Sequence, residues 1–245
     1  MTPHPALALL GAVALAAVHL FAERLRFLDR LPRSRWLSFG GGTSVAYVFV
    51  HLLPELNEAQ EMVEEATIPE LLFLEHHAYL MALAGLTVFY GLERLAQGSR
   101  EESVEAGRGD RTGLGVFRVH VGSFALYNAL IGYLLVRSPS DTSPRILFFV
   151  AMALHLSVND YGLRSHHKEP YHRVGRWLLA GAVLAGGVLG VAVRLPELAL
   201  LIPLAFLGGA VVLNVLKEEL PEERESRFGA FALGVVGYAA LLVAM

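Results

Sequence analysis

His155, Asn159, Gly162 and His166 recur at i, i+4, i+7 and i+11, which places them on one face of a helix. His120, Ser123 and Tyr127 do the same at i, i+3 and i+7 on the preceding apolar run. Imidazole with neutral oxygen and amide groups can hold a single divalent cation; the same groups can also hydrogen-bond to one another with no ligand. Asn128, beside Tyr127, and Asp160, beside Asn159, complete this candidate central set. Each has a plainer use: the asparagines suit helix packing, Tyr127 suits packing too, and Asp160 stands four residues before Arg164, the spacing of an intrahelical ion pair. A second stripe, Ser44, Tyr47, His51 and Glu55, leads to one end of another run, where Glu75, His76 and His77 open the next. Imidazole with carboxylate suits zinc and other first-row divalent ions, so His51, Glu55, His76 and His77 form a candidate outer cluster.

The elements that carry these residues are membrane-length. Apolar runs cover about 5–22, 36–56, 69–92, 114–136, 144–163, 174–193, 196–216 and 228–245, each close to the ~20 residues that span a bilayer as a helix. A hydrophobic content of 54% and a mean hydropathy of +0.49 agree with an all-α integral membrane protein of eight transmembrane helices, one domain over 1–245. Ser123 and His155 each lie about nine residues from the inner end of their runs, so at ~1.5 Å per residue both sit roughly 13 Å deep. Polar stripes at that depth are costly against lipid and should face a cavity or each other. With no cysteine, disulfides, thiolate metal sites and cysteine catalysis are excluded. Nothing in the charge pattern suggests nucleic-acid binding; the expected surroundings are lipid.

Orientation follows from the basic residues. Of 20 Lys and Arg, 17 fall in or beside segments 23–35, 93–113, 164–173 and 217–227; only Arg137, Arg145 and Arg194 lie on the other side. Cytoplasmic loops retain positive charge, so those four segments are expected inside and both termini outside a multi-pass cell-membrane protein. No basic residue precedes the first apolar run, whereas Arg24 and Arg26 follow it, which favours an anchor over a cleaved leader. Residues 96–112, polar and Gly-rich, read as a flexible cytoplasmic loop. Glu55, Glu58, Glu61, Glu64, Glu65 and Glu70 form an acidic external segment, either solvated charge or a mouth that gathers cations. His166, His167 and His172 crowd the short third inner loop, where solvated charge and a metal relay are both readings.

Two stretches repeat. Gly41-Gly42, a helical run and Leu53-Pro54-Glu55 return 167 residues later as Gly208-Gly209, a run and Leu220-Pro221-Glu222. In the topology above the two copies run in opposite directions, as inverted transporter repeats do. Glycine pairs and a Pro-Glu helix end are also common by packing and termination alone.

Gly42-Thr43 through His51-Leu52-Leu53-Pro54-Glu55, Tyr90-Gly91-Leu92-Glu93-Arg94 and Leu220-Pro221-Glu222 together resemble the second, third and seventh helices of the ZIP (Zrt/Irt-like) divalent-metal transporters. The resemblance spans nearly the whole chain and implies a 3+2+3 inverted-repeat bundle, import of zinc or a similar ion toward the cytoplasm, and often a homodimer. It also implies where the metal ligands should be, and there the chain departs from the family. Ser123 falls at a histidine position and Tyr127 at an acid position. His155 keeps a ligand position, and Asn159 replaces a carboxylate or histidine. With both bridging acids gone, a binuclear site is not expected.

Three classes of function follow: a ZIP-like carrier of divalent metal, with the ion as substrate and no prosthetic group; a ZIP-derived membrane protein that no longer moves zinc and serves another solute, a sensing role or a structural one; and an intramembrane metal hydrolase. The last needs three converging ligands with an open water position, and no helix offers a His-x-x-x-His pair, so the chain reads as a non-enzyme.

Overall fold

The computed structural model describes residues 5–21, 33–65, 77–137, 142–219 and 227–244. These are almost entirely helical, and no strand occurs among them. In chain order the elements are α1 (Pro5–Phe21), α2 (Arg33–Tyr47), a π-helical turn (Val48–Leu52), α3 (Leu53–Glu65), α4 (His77–Glu105), α5 (Leu114–Arg137), α6 (Thr142–His167), a second π-helical turn (Tyr171–Gly175), α7 (Arg176–Ala192), α8 (Glu197–Glu219) and α9 (Phe228–Val243). Three stretches, Leu114–Arg137, Arg145–His167 and Tyr171–Ala192, are long and apolar enough to cross a membrane; Leu7–Phe21, Ile202–Asn214 and Phe228–Val243 are shorter apolar helices.

Several boundaries differ from the sequence reading. The run expected to stop near residue 56 continues as helix to Glu65. Pro54 lacks an N–H and cannot make the bond four residues back, and the chain absorbs this with the π turn just before it, in which Leu53 N–H reaches Val48 O. Most of the acidic segment is therefore helical, as its Glu, Gln and Met content allows. Segment 96–112, expected as a loop, is helix as far as Glu105. The chain breaks only where Gly107 and Gly109 adopt positive φ, 66° and 97°. Residues 220–222, the second half of the repeat, and His76 lie outside the described residues.

By packing, the chain divides into two compact units. Unit 1 comprises Met1–Trp36 with Gly91–Arg194, and unit 2 comprises Leu37–Tyr90 with Leu195–Met245. In unit 1, α1 packs on α5, α6 and α7, and α5 packs on both α6 and α7. In unit 2, α3 packs on α8, and the first π turn packs on α8 and α9.

Helices in lipid gain little from burial alone and depend on close packing, which small residues permit. Among its described residues unit 2 contains two such crossings. A Cβ on Gly42 would fall 2.2 Å from Phe231 O and 3.0 Å from Val235 N. One on Gly234 would fall 2.3 Å from Phe39 O. In the other crossing a Cβ on Gly209 would fall 1.7 Å from Ala82 O and 2.8 Å from Leu86 N, and one on Gly85 2.0 Å from Phe206 O. Unit 1 closes α5 on α7 likewise, with Gly132 against Val183 O and Gly186 against Ala129 O.

Candidate functional site

The polar interior of unit 1 resolves into three clusters. In the first, His155 on α6 is 2% exposed and meets Tyr127 on α5. Tyr127 Oη lies 2.6 Å from His155 Nε2, and Asn159 Nδ2, one helical turn along α6, lies 3.0 Å from the same nitrogen. An amide Nδ2 only donates, so Nε2 is the acceptor, the tyrosine hydroxyl donates as well, and the ring is neutral with its proton on Nδ1. The Nε2 lone pair of His155 is already engaged.

The second cluster joins three elements. His19 on α1 places Nδ1 2.8 Å from Asp160 Oδ1 and Nε2 2.8 Å from Asn128 Oδ1. Tyr171, in the second π turn, donates to Asp160 Oδ1 at 2.5 Å. Asn128 Nδ2 donates to Phe124 O, which fixes the amide so that its oxygen faces the imidazole. An amide oxygen only accepts, so His19 Nε2 carries a hydrogen; Nδ1 donates to the carboxylate. The ring is thus held as an imidazolium beside a buried carboxylate. The sequence pairs Asp160 with Arg164; the structure gives it to His19 and Tyr171. A buried carboxylate gains more from two fixed donors than from an arginine that can reach water.

The third cluster lies where α4, α5 and α6 meet near residues 93, 120 and 166. Thr112 Oγ1 is 2.6 Å from His167 Nδ1, and His167 Nε2 is 3.0 Å from His120 Nδ1. His120 Nε2 is 3.9 Å from Glu93 Oε2, and His166 Nε2 is 2.7 Å from Glu93 Oε1. The Thr112 N–H caps the arrangement on His166 O at 3.3 Å. Beside it opens a cavity of about 420 Å³, whose wall includes Gln97, Arg100, Glu101, Glu105, Asp110 and His166. Asp110 is held by Arg100, whose Nη2 donates to Oδ2 at 2.9 Å and whose Nε contacts Oδ1, with Lys168 3.4 Å away. The hydrogen bond from Arg100, with the charges of Arg100 and Lys168, holds the Asp110 carboxyl below its usual range.

Of the central set, then, His155, Tyr127 and Asn159 come together, while Asn128 and Asp160 belong to the His19 cluster. Ser123 joins neither: its hydroxyl donates to Val119 O on its own helix. In the outer set His51 Nε2 lies 3.1 Å from Glu55 Oε1, across the π turn, and both side chains are about one-third exposed. His77 opens α4. Among the described residues no three His, Asp or Glu side chains are gathered as a metal-binding group.

Sequence reasoning missed His19, Glu93 and Tyr171. His19 had a signal, as a titratable side chain inside an apolar run that is otherwise nearly free of polar groups. Glu93 appeared only within the Tyr90-Gly91-Leu92-Glu93-Arg94 motif and Tyr171 had no signal, because their partners come from other elements. Compared with known proteins, this chain matches no family model, no curated protein and no solved structure.

Proposed function

We propose that this chain is a ZIP-like transmembrane transporter that moves a divalent metal ion, zinc or a similar cation, toward the cytoplasm. The observation that carries the reading is an equivalence between the two crossings of unit 2. Gly42 and Phe39 have counterparts 167 residues on, at Gly209 and Phe206. The helices they meet also correspond: Ala82, Gly85 and Leu86 have counterparts 149 residues on, at Phe231, Gly234 and Val235. Carbonyl for carbonyl and amide for amide, one crossing repeats the other, which is what an internal duplication of the second and third helices as the seventh and eighth predicts. The shorter second offset places an insertion in the first copy, where the acidic helix α3 lies. Membrane-embedded repeats arranged around buried polar helices are the build of secondary transporters.

Within this reading His155 is the substrate contact in unit 1. With neutral neighbours in place of carboxylates, it binds a dication more weakly than a full family site would. The test is uptake of zinc, cadmium and manganese by proteoliposomes carrying wild type or His155→Ala. Wild-type flux above that of empty vesicles, reduced at least about tenfold by the substitution, is the expected result. Absence of flux with all three ions would leave the second reading, a ZIP-derived protein that no longer transports zinc. One observation favours that alternative: Tyr127 and Asn159 already occupy the His155 lone pair that a metal would need.

A further inference from the structure

The third cluster carries an inference of its own, because the tautomer of His166 can be assigned. Ionised Glu93 only accepts, so His166 Nε2, 2.7 Å from it, carries a hydrogen. His120 Nδ1 and His167 Nε2 share one hydrogen, and His167 Nδ1 and Thr112 Oγ1 share another. One acceptor is left over. His166, 7% exposed, has its Nε2–H committed to Glu93, while its Nδ1 is buried and has no partner.

His166 belongs to the wall of the 420 Å³ cavity, which also contains Glu101, Glu105 and Asp110. A histidine that donates one N–H to a carboxylate is held in a single tautomer, with the opposite nitrogen presented as a more basic ligand. Metal-binding histidines are oriented this way by a second carboxylate. An isolated neutral imidazole nitrogen costs free energy when buried without a partner, and a cation entering the cavity would relieve that cost. Asp110 is engaged by Arg100 and Lys168, so the carboxylates free to join are Glu101 and Glu105, one turn apart on α4.

We propose that this cavity is a binding site for a borderline divalent cation of the zinc class. His166 Nδ1 supplies the anchoring ligand, Glu101 and Glu105 the neutralising charge, and Glu93 positions His166 from behind. Three ligands are not gathered in the described conformation, so exposed glutamates on α4 swing in and water completes the shell. Imidazole selects against magnesium and calcium, which take oxygen ligands. The site does not rest on the transporter reading and is separate from His155.

The experiment is equilibrium zinc binding by the full chain in lipid nanodiscs, with magnesium as competitor. At this cavity, separate from the ion contacted by His155, one zinc is expected that about a hundredfold excess of magnesium does not displace. Glu93→Gln should weaken it by about 10- to 100-fold through loss of orientation, and His166→Ala by at least that much. The Glu101→Gln/Glu105→Gln pair, on the helix surface, should weaken it by about tenfold or more, and His155→Ala should leave it unchanged. Unaltered affinity in folded His166→Ala overturns the site. Should that variant fail to fold, unaltered affinity in the glutamate pair overturns it equally, as does loss of this zinc in His155→Ala.

Discussion

Among the described residues, unit 1 buries ionisable side chains and unit 2 buries neutral polar ones. The interior of unit 1 holds His19, Glu93, His120, Asn128, His155, Asp160, His166 and His167, joined side chain to side chain across α1, α4, α5 and α6. The buried polar residues described in unit 2 are Ser38, Thr43, Ser44, Gln60 and Asn214. Thr43 and Ser44 bond only to carbonyls of their own helix, and Ser38 accepts the N–H of Arg227 at the start of α9. Such bonds satisfy the side chain without linking two helices through titratable groups. Unit 2 closes backbone to backbone at its paired glycines, as unit 1 also does where α5 meets α7. Ionisable groups in a membrane interior are expensive and persist where they do something, whereas glycine crossings cost little and fix a shape. Among the described residues the buried ionisable groups are gathered in unit 1, not in unit 2.

The largest effect should come from the ion pair. Asp160→Ala leaves the His19 imidazolium buried without its counter-charge, at a cost of about 3–5 kcal/mol. Ser44→Ala in unit 2 gives up only a bond to its own helix and should cost less than about 1 kcal/mol. Thermal unfolding of both variants in the same detergent measures the contrast, and equal losses would break the distinction between the units. Next come the glycines. Alanine at Gly42 or at Gly209 must push a backbone carbonyl aside, an overpacking cost of about 1–3 kcal/mol or more, and the two should be alike because the crossings are alike. Gly181→Ala and Gly237→Ala meet open space and should be neutral or slightly stabilising, by up to about 1 kcal/mol. Widely different losses at Gly42 and Gly209 would count against a duplicated frame.

The helices of unit 1 were legible because an apolar run leaves few choices: the run read as 114–136 is α5, Leu114–Arg137, and that read as 174–193 ends with α7 at Ala192. The glycine pair at Gly208-Gly209 was legible in the sequence, but not its partners: Gly209 meets Ala82 and Leu86 on α4, and Gly208 meets Leu52 and Leu56. Boundaries failed where composition and propensity disagree. Residues 96–105 looked like loop because they are charged and contain Gly98, yet Ala, Gln, Arg and Glu are good helix formers and carry α4 onward. The site was half legible. Spacing correctly put His155 with Asn159, but spacing along one helix does not say which helix lies opposite. So the stripe of His120, Ser123 and Tyr127 divides: His120 goes to Glu93 and His167, Tyr127 to His155, and Ser123 back to its own backbone.

A third prediction probes how tightly unit 1 couples its neutral groups. Tyr127→Phe removes the hydroxyl from His155 Nε2 but leaves Asn159, so it should cost only about 1 kcal/mol. Asn159→Ala should cost a similar amount alone. The double variant, which strips Nε2 of both donors, should depart from additivity by about 0.5 kcal/mol or more, because the two donors share one lone pair. Strict additivity in a thermal-unfolding cycle would mean that one of these contacts contributes nothing.

The smallest effect is a control in which the same kinds of group meet in water. Arg100 and Asp110 pair at the corner between α4 and α5, with the arginine about one-third and the aspartate about half exposed, so the contact should contribute about half a kcal/mol or less. The sign of its pH dependence is fixed by the lowered Asp110 carboxyl. Its folded-state value lies below the reference of 3.8, so the contribution is complete at neutral pH and persists down to about that value. It fades as pH falls further through the folded value, when Asp110 takes up a proton and releases Arg100. Amide hydrogen exchange of the corner at Gly107 to Thr112 in Arg100→Ala should therefore match wild type at acid pH and exceed it slightly at neutral pH. If removing this exposed pair destabilised the chain as much as Asp160→Ala does, burial would not be what makes the polar contacts of unit 1 strong.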